Sequence, residues 1–301
     1  MLVVWSLLNQ SGPDQGRGLT SQGQDDQFRP VLDKRAAPVS ELASQSALVV
    51  GAHPDDEVIG AGAMLRRLES AGVVTITGGA PGNGRNARSA GFSSNWRYAR
   101  ARRREAEAAL SLLQRPLNPV TNLGLPDQKV VFHLSRLVRQ LMRTFRSGEF
   151  KVVITHAYEG GHPDHDATAL AVHAACHLLE RQGHCAPAIV EMAGYHMCNG
   201  QMVYGEFMPH PGAGPVETFQ LDPGEIVLKR AMLDCHQTQA AVLANFSVTR
   251  ETFRRAPSYD FLQPPSPQTL AYETFGWEIN GQIWCSAAAR ALHALDLLDD
   301  A

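Results

Sequence analysis

Two short apolar runs, each breaking directly into a cluster of histidines and carboxylates, constrain this chain more than any other feature of it. Ala47-Leu48-Val49-Val50 runs into Gly51-Ala52-His53-Pro54-Asp55-Asp56-Glu57. Val152-Val153-Ile154 runs into Thr155-His156-Ala157-Tyr158-Glu159-Gly160-Gly161-His162-Pro163-Asp164-His165-Asp166. An apolar strand with no polar alternation belongs inside a parallel sheet covered on both faces, and the residues just past its carboxyl end face the crevice where open α/β sheets bind ligands. Both clusters therefore fall at site positions.

The segments around them alternate as such a sheet requires. The pattern predicts helices over 61–71, 97–114, 133–147, 166–181 and 223–243, and strands over 73–78, 151–155 and about 187–194. The fold expected is α/β, a mostly parallel, doubly wound sheet in which right-handed crossovers bring both strand ends to one edge. Residues 1–45 read as an N-terminal arm, apolar at its head and rich in Gln, Ser, Gly and Asp beyond it, that wraps the domain or contacts a partner chain. Residues 46–301 read as one domain with a core at 46–245 and a C-terminal elaboration at 246–301. In that elaboration a stretch with Pro257, Pro264, Pro265 and Pro267 precedes a strand over Tyr272–Asn280 and a helix over Ser286–Leu298.

His53 offers a ring nitrogen and Asp56 an oxygen on one turn, so both can reach one ion of the zinc type, leaving Asp55 to handle a proton. The competing account is a helix N-terminus, where Asp and Pro are common for capping alone. The second cluster favours the ion, because three protein ligands with one open position make a catalytic zinc site; His53, Asp56 and one of the later histidines supply that set.

Taken together, the two motifs resemble those of the PIG-L or LmbE-like zinc-dependent N-deacetylases. Weaker matches extend the likeness from about Ala47 to Gln239: Arg102-x-x-Glu105, Leu123-Gly124-Leu125-Pro126-Asp127, and Lys229 followed by His236-Gln237-Thr238-Gln239. The resemblance implies a Rossmann-like, LmbE-like sheet with a C-terminal extension, and one Zn2+ per chain held by His53, Asp56 and His165. It implies that Asp55 is the general base, that His162 serves the oxyanion or leaving group, and that Arg102, Asp127 and His236 lie near the substrate. Asp164 and Asp166 are then either partners that orient the rings of His162 or His165, as metal-bound imidazoles require, or carboxylates favoured at a helix N-terminus. The activity implied is hydrolysis of the acetamide of an N-acetylglucosamine-type unit in a small conjugate. Where some relatives carry a Tyr two residues before His162, this chain has Gly160, with Tyr158 and Tyr195 as replacements.

Composition excludes several classes. A formal charge of −3 provides no broad basic field for nucleic acid. The five cysteines form no CxxC pair, which argues against a disulfide framework and for a reducing cytoplasm. The apolar start lacks a basic leader and is too short to span a membrane. Gly60-Ala61-Gly62 comes too late after the strand and lacks the third glycine of a dinucleotide fingerprint. The alternatives left are a zinc amidase or deacylase on another N-acyl substrate, such as a thiol-sugar conjugate, and a sugar-binding protein that has kept the fold without turnover. The partner expected is a small amino-sugar conjugate, with room for a homo-oligomer.

Overall fold

A computed structural model describes residues 39–298; nearly all of the anticipated N-terminal arm lies outside the described residues. In chain order the elements are β1 (Ser46–Gly51), α1 (Asp56–Arg67), β2 (Ser70–Thr77), α2 (Arg85–Ser89), α3 (Asn95–Ser111), β3 (Val120–Leu125), α4 (Leu134–Gly148), β4 (Val152–His156) and α5 (Pro163–Arg181). There follow β5 (Ala188–Met192), β6 (Tyr195–Cys198), β7 (Gln201–Tyr204), β8 (Glu217–Gln220), α6 (Pro223–Asp234), α7 (Ala240–Leu243), β9 (Arg250–Arg255) and α8 (Gly281–His293).

Seven strands form one sheet in the order β3-β2-β1-β4-β5-β9-β8, and β6 and β7 form a separate hairpin. The five strands from β3 to β5 are parallel, while β9 joins β5 and β8 antiparallel. The sheet is therefore the doubly wound α/β type expected, with an antiparallel edge added from the C-terminal part of the chain.

Burial follows the pleat. Leu48 and Val50 of β1 and Val153 of β4 pack on the face covered by α4, α5 and α8, and Ala47, Val49 and Ile154 pack on the face covered by α1, α3 and α6. Both faces of the central strands are apolar because both are covered. The chain order reverses between β1 and β4, which are neighbours in the sheet. Such a switch point opens a crevice at the carboxyl ends of the two strands, and those ends carry the two motifs.

Four expectations change. The helix after the first motif begins at Asp56 rather than at 61, and the helix expected at 223–243 breaks after Asp234 into a 3-10 turn (Gln237–Gln239) and α7. The strand expected at Tyr272–Asn280 is instead a 3-10 turn (Ala271–Phe275), because Glu273 turns back to accept the amides of Leu270 and Gly281. The last helix starts at Gly281 rather than Ser286, capped by the Asn280 side chain accepting from the Ile283 amide.

Candidate active site

The first motif is folded back on itself. Asp55 precedes α1 with φ 147° and ψ −24°, a conformation that side-chain-bearing residues rarely adopt and that persists only where neighbours hold it. Its carbonyl accepts from the amides of Val58 and Ile59, both at 2.9 Å, and its own amide donates to Oε2 of Glu57 at 3.2 Å. Asp56 Oδ2 accepts the His53 amide at 2.7 Å. These bonds fix both carboxylates against the end of β1.

The second motif docks onto the first. Nε2 of His156, the last residue of β4, accepts the Ala52 amide at 3.0 Å and stands 3.1 Å from Asp56 Oδ2. His162 is the N-cap of α5, its Nδ1 accepting the Asp164 amide at 3.1 Å. Between them the loop is tied down by Asp166, whose Oδ1 accepts the amides of Glu159 and Gly160. Gly161 passes directly under the Tyr195 carbonyl, where an added Cβ would lie 1.9 Å from the oxygen.

His53, Asp56 and His165 are adjacent: Asp56 lies 3.5 Å from Nδ1 of His53 through Oδ2 and 3.3 Å from Nε2 of His165 through Oδ1. Among the described residues, the sets whose donor atoms all fall within 4.8 Å of one another are His53-His162-His165, Asp56-His156-His165 and His53-Asp127-His162-Asp164. His53 Nε2 and Asp127 Oδ1 are buried without a hydrogen-bond partner and stand 3.6 Å apart. Buried imidazoles and carboxylates with unpartnered atoms facing one another are what a divalent ion of the zinc type satisfies.

The electrostatics agree. Burial lowers the pKa of His53, but Asp127, Asp164 and Asp56 outweigh it and hold the ring well above its ordinary value. Burial raises Asp56, yet His165 and His156 draw it well below the carboxylate range. His162 is depressed well below its ordinary value by burial and by His53 and His165, and His165 falls to about 4 for burial and His156. The proton that His53 holds is the one a cation would displace. Burial pushes Asp55 up to about 6, with Arg102 opposing and Asp56 adding to the rise.

Of the remaining anticipated residues, Arg102 is buried and donates through Nη2 to Asp55 Oδ2 at 2.9 Å and through Nη1 to the Gly79 carbonyl at 2.7 Å. It holds the carboxylate anticipated as the base. Asp127 faces His53 as above. Asp164 accepts from the amides of Gln128 and Val130 and lies 3.4 Å from His53 Nε2, so its imidazole is that of the first motif. Asp166 touches backbone amides, not a ring. His236 is fully buried with both ring nitrogens unpartnered and a pKa near 4 from burial and from Arg102. His156, left without a role by the sequence, and Tyr195 stand here as well. His156 stacks on His165 at 3.9 Å between ring centroids, and Tyr195 meets His165 edge-on at 5.3 Å. Of the two tyrosines weighed as replacements at Gly160, Tyr195 is thus at the site, while Tyr158 donates to the Gln263 carbonyl.

Residues 48–176, which hold both motifs, match the family model described as PIG-L, GlcNAc-PI de-N-acetylase. That segment is similar to a PIG-L domain. Solved structures share the fold of this chain at low identity. A teicoplanin deacetylase in its zinc-inhibited form is 16% identical with a TM-score of 0.53, covering 71% of this chain and 99% of its own. The deacetylase of the A40926 pseudoaglycone is 19% identical with a TM-score of 0.55, covering 72% of this chain and 98% of its own. A conserved protein of Thermus thermophilus is 21% identical with a TM-score of 0.51, covering 72% of this chain and 96% of its own. No curated protein matches this chain by sequence.

Proposed function

We propose that this protein is a divalent-metal-dependent N-deacetylase that hydrolyses the acetamide of an N-acetylglucosamine-type unit in a small conjugate. One observation carries the reading: a strained, Arg102-paired Asp55 stands directly beside an Asp56 that bridges His53 and His165. The likeness of its fold to two deacetylases, one of them in a zinc-inhibited form, supports it.

His53, Asp56 and His165 would hold the ion, and Zn2+ would suit their nitrogen and oxygen donors. A bound divalent ion supplies Lewis acidity that activates water and polarises an amide carbonyl. Asp55, near pKa 6, is poised to take a proton from attacking water at neutral pH. Arg102 keeps that carboxylate ionised and aimed. A neutral His162 accepts the Asp164 amide at Nδ1, so its proton resides on Nε2. That N–H is a donor for the oxygen of a tetrahedral intermediate, a contribution of about 3 kcal/mol per donor. Asp127, Tyr195 and His236 line the approach to the reacting amide. The five free thiols fit a reducing cytoplasm, and residues 46–301 act as one catalytic domain.

The test is acetate release from a panel of N-acetylglucosamine conjugates before chelation, after it, and with zinc restored. Zinc-dependent release is expected, and Asp55→Asn should lose about 100-fold or more in turnover while binding the metal as before. An Asp55→Asn protein with normal turnover would sink the mechanism. Release from other N-acyl amides, with none from acetamido sugars, would move the reading to a zinc amidase or deacylase.

A further inference from the structure

Lys229 matched the family pattern, but the site as described leaves it no part. It lies on α6, fully buried, 22 residues before its partner Glu251 on β9, with Nζ 2.8 Å from Glu251 Oε1. A buried ion pair is by itself weak evidence for stability, since desolvation offsets the attraction. Its location is more telling. α1, the helix that begins with Asp56, is broken at Ala61, whose φ of −144° and ψ of 20° are not helical.

In an unbroken helix the Ile59 carbonyl would accept from the Ala63 amide. Here the Ile59 carbonyl accepts from Lys229 Nζ at 2.8 Å, and the Ala63 amide donates to Glu251 Oε1 at 2.8 Å. Glu251 Oε2 accepts from the Met64 amide at 2.9 Å. The ion pair has been inserted into the opened rung, so that the chain of bonds runs from the Ile59 carbonyl through Lys229 and Glu251 to the amides beyond the break. Every polar group the break exposes at these three residues is satisfied by the pair.

The break divides the helix into a first turn that carries Asp56 and Glu57 and a second part that packs in the core. The first turn is pressed onto the sheet: a Cβ added to Gly60 would lie 2.4 Å from Met192 Sδ, and Met192 ends β5. Asp55 contributes its carbonyl to the amides of Val58 and Ile59 in this same first turn.

We infer that Lys229 and Glu251 are positioning residues, an ion pair bridging the break in α1 that sets the angle of its first turn and hence the placement of Asp55 and Asp56. The inference rests on the deacetylase reading for its catalytic consequence, but not for its structural one. Neither side chain touches substrate.

The test uses Lys229→Met/Glu251→Gln, which removes both charges together, and Glu251→Gln alone, which keeps an acceptor for the Ala63 amide. Three quantities are read on the full chain: zinc affinity by competition with a chelator, amide hydrogen exchange at Ala63 and Met64 against that of the β1 amides, and kcat with KM. The double variant is expected to melt cooperatively and to exchange at Ala63 and Met64 at least ten-fold faster with β1 unchanged. It should bind zinc at least ten-fold more weakly, and kcat should fall with little change in KM. Glu251→Gln leaves the Lys229 ammonium buried without its carboxylate, so it should shift the same quantities in the same direction, and it decides the matter if the double variant does not fold. Wild-type exchange at the two amides, or wild-type zinc affinity, in a folded variant overturns the inference. If the wild-type protein releases no acetate, the deacetylase reading fails while exchange and zinc affinity still decide this one.

Discussion

His173 is buried in α5 against the rings of Tyr259 and Phe261, with Nε2 unpartnered, and burial holds its pKa down to about 4. The unfolded chain protonates it near 6.5 and the folded protein does not, so the group costs nothing at neutral pH and destabilises the fold as pH falls from 6.5 to 4. The full cost is about 3 kcal/mol, and below pH 4 it grows no further. His173→Phe should remove it: urea midpoints at pH 7 and pH 4.5 should differ less in the variant than in the wild-type protein. At this scale the sequence was legible where spacing carried the chemistry, as in His53-x-Asp55-Asp56 and His162-x-x-His165. It was not legible where burial decides. Arg97, Arg100, Arg102, Arg103 and Arg104 look alike in the sequence, yet of the five only Arg102 is buried, and it is the one paired with Asp55. His156 went unassigned because the resemblance gave roles only to His162 and His165 of its cluster, and only the pairing of β1 with β4 brings its Nε2 to the Ala52 amide.

Among the elements, β9 explains what sequence patterning misses. Arg250-Glu251-Thr252-Phe253-Arg254-Arg255 has the charge of a surface segment, yet Glu251 and Arg254 are buried in pairs. Arg254 donates to Glu191 Oε2 on β5 at 2.7 Å, to the Met208 carbonyl at 2.8 Å and to Glu159 Oε1 at 3.2 Å. It thereby ties the C-terminal strand to the loop that leads into α5. Arg254→Met leaves two buried carboxylates uncompensated and should cost about 3–5 kcal/mol in chemical denaturation. Adding Glu191→Gln should recover part of that loss. Patterning succeeds for β1, β2 and β4 because both sheet faces there are apolar. It fails for β3, an edge strand whose Thr121, Asn122 and Gly124 show no apolar period. Gly161→Ala belongs to this scale as well: the close Tyr195 carbonyl is backbone of the β6–β7 hairpin and cannot yield cheaply. The variant should lose zinc affinity along with stability, both read by titration and melting of the same preparation.

For the whole molecule, the family match covers residues 48–176, and the fold likeness extends over about 71% of the chain. Within that span the mostly parallel, doubly wound sheet was readable, because alternation of apolar strands and helices dictates it, whereas the strand order was not. The part beyond it was misread at Tyr272–Asn280, where a single carboxylate, Glu273, decides the local turn. A cation bound by the folded protein and not by the unfolded chain stabilises by about 2.7 kcal/mol at a hundred times its dissociation constant, so zinc should raise the melting temperature on the order of 5–10 °C. Calorimetry with zinc, with magnesium and with chelator checks this, and magnesium should do far less because it avoids imidazole. The bonds from Glu251 to Ala63 and Met64 join positions nearly two hundred residues apart. A ribosome makes the first motif long before it makes residue 251. The carboxylates of Asp55 and Asp56 emerge early, but the helix that aims them acquires its bolt only when β9 has left the exit tunnel. On the site proposed above, metal capture would be deferred to the closing stage of synthesis, and a chain stalled before β9 would carry the ligand residues without the centre.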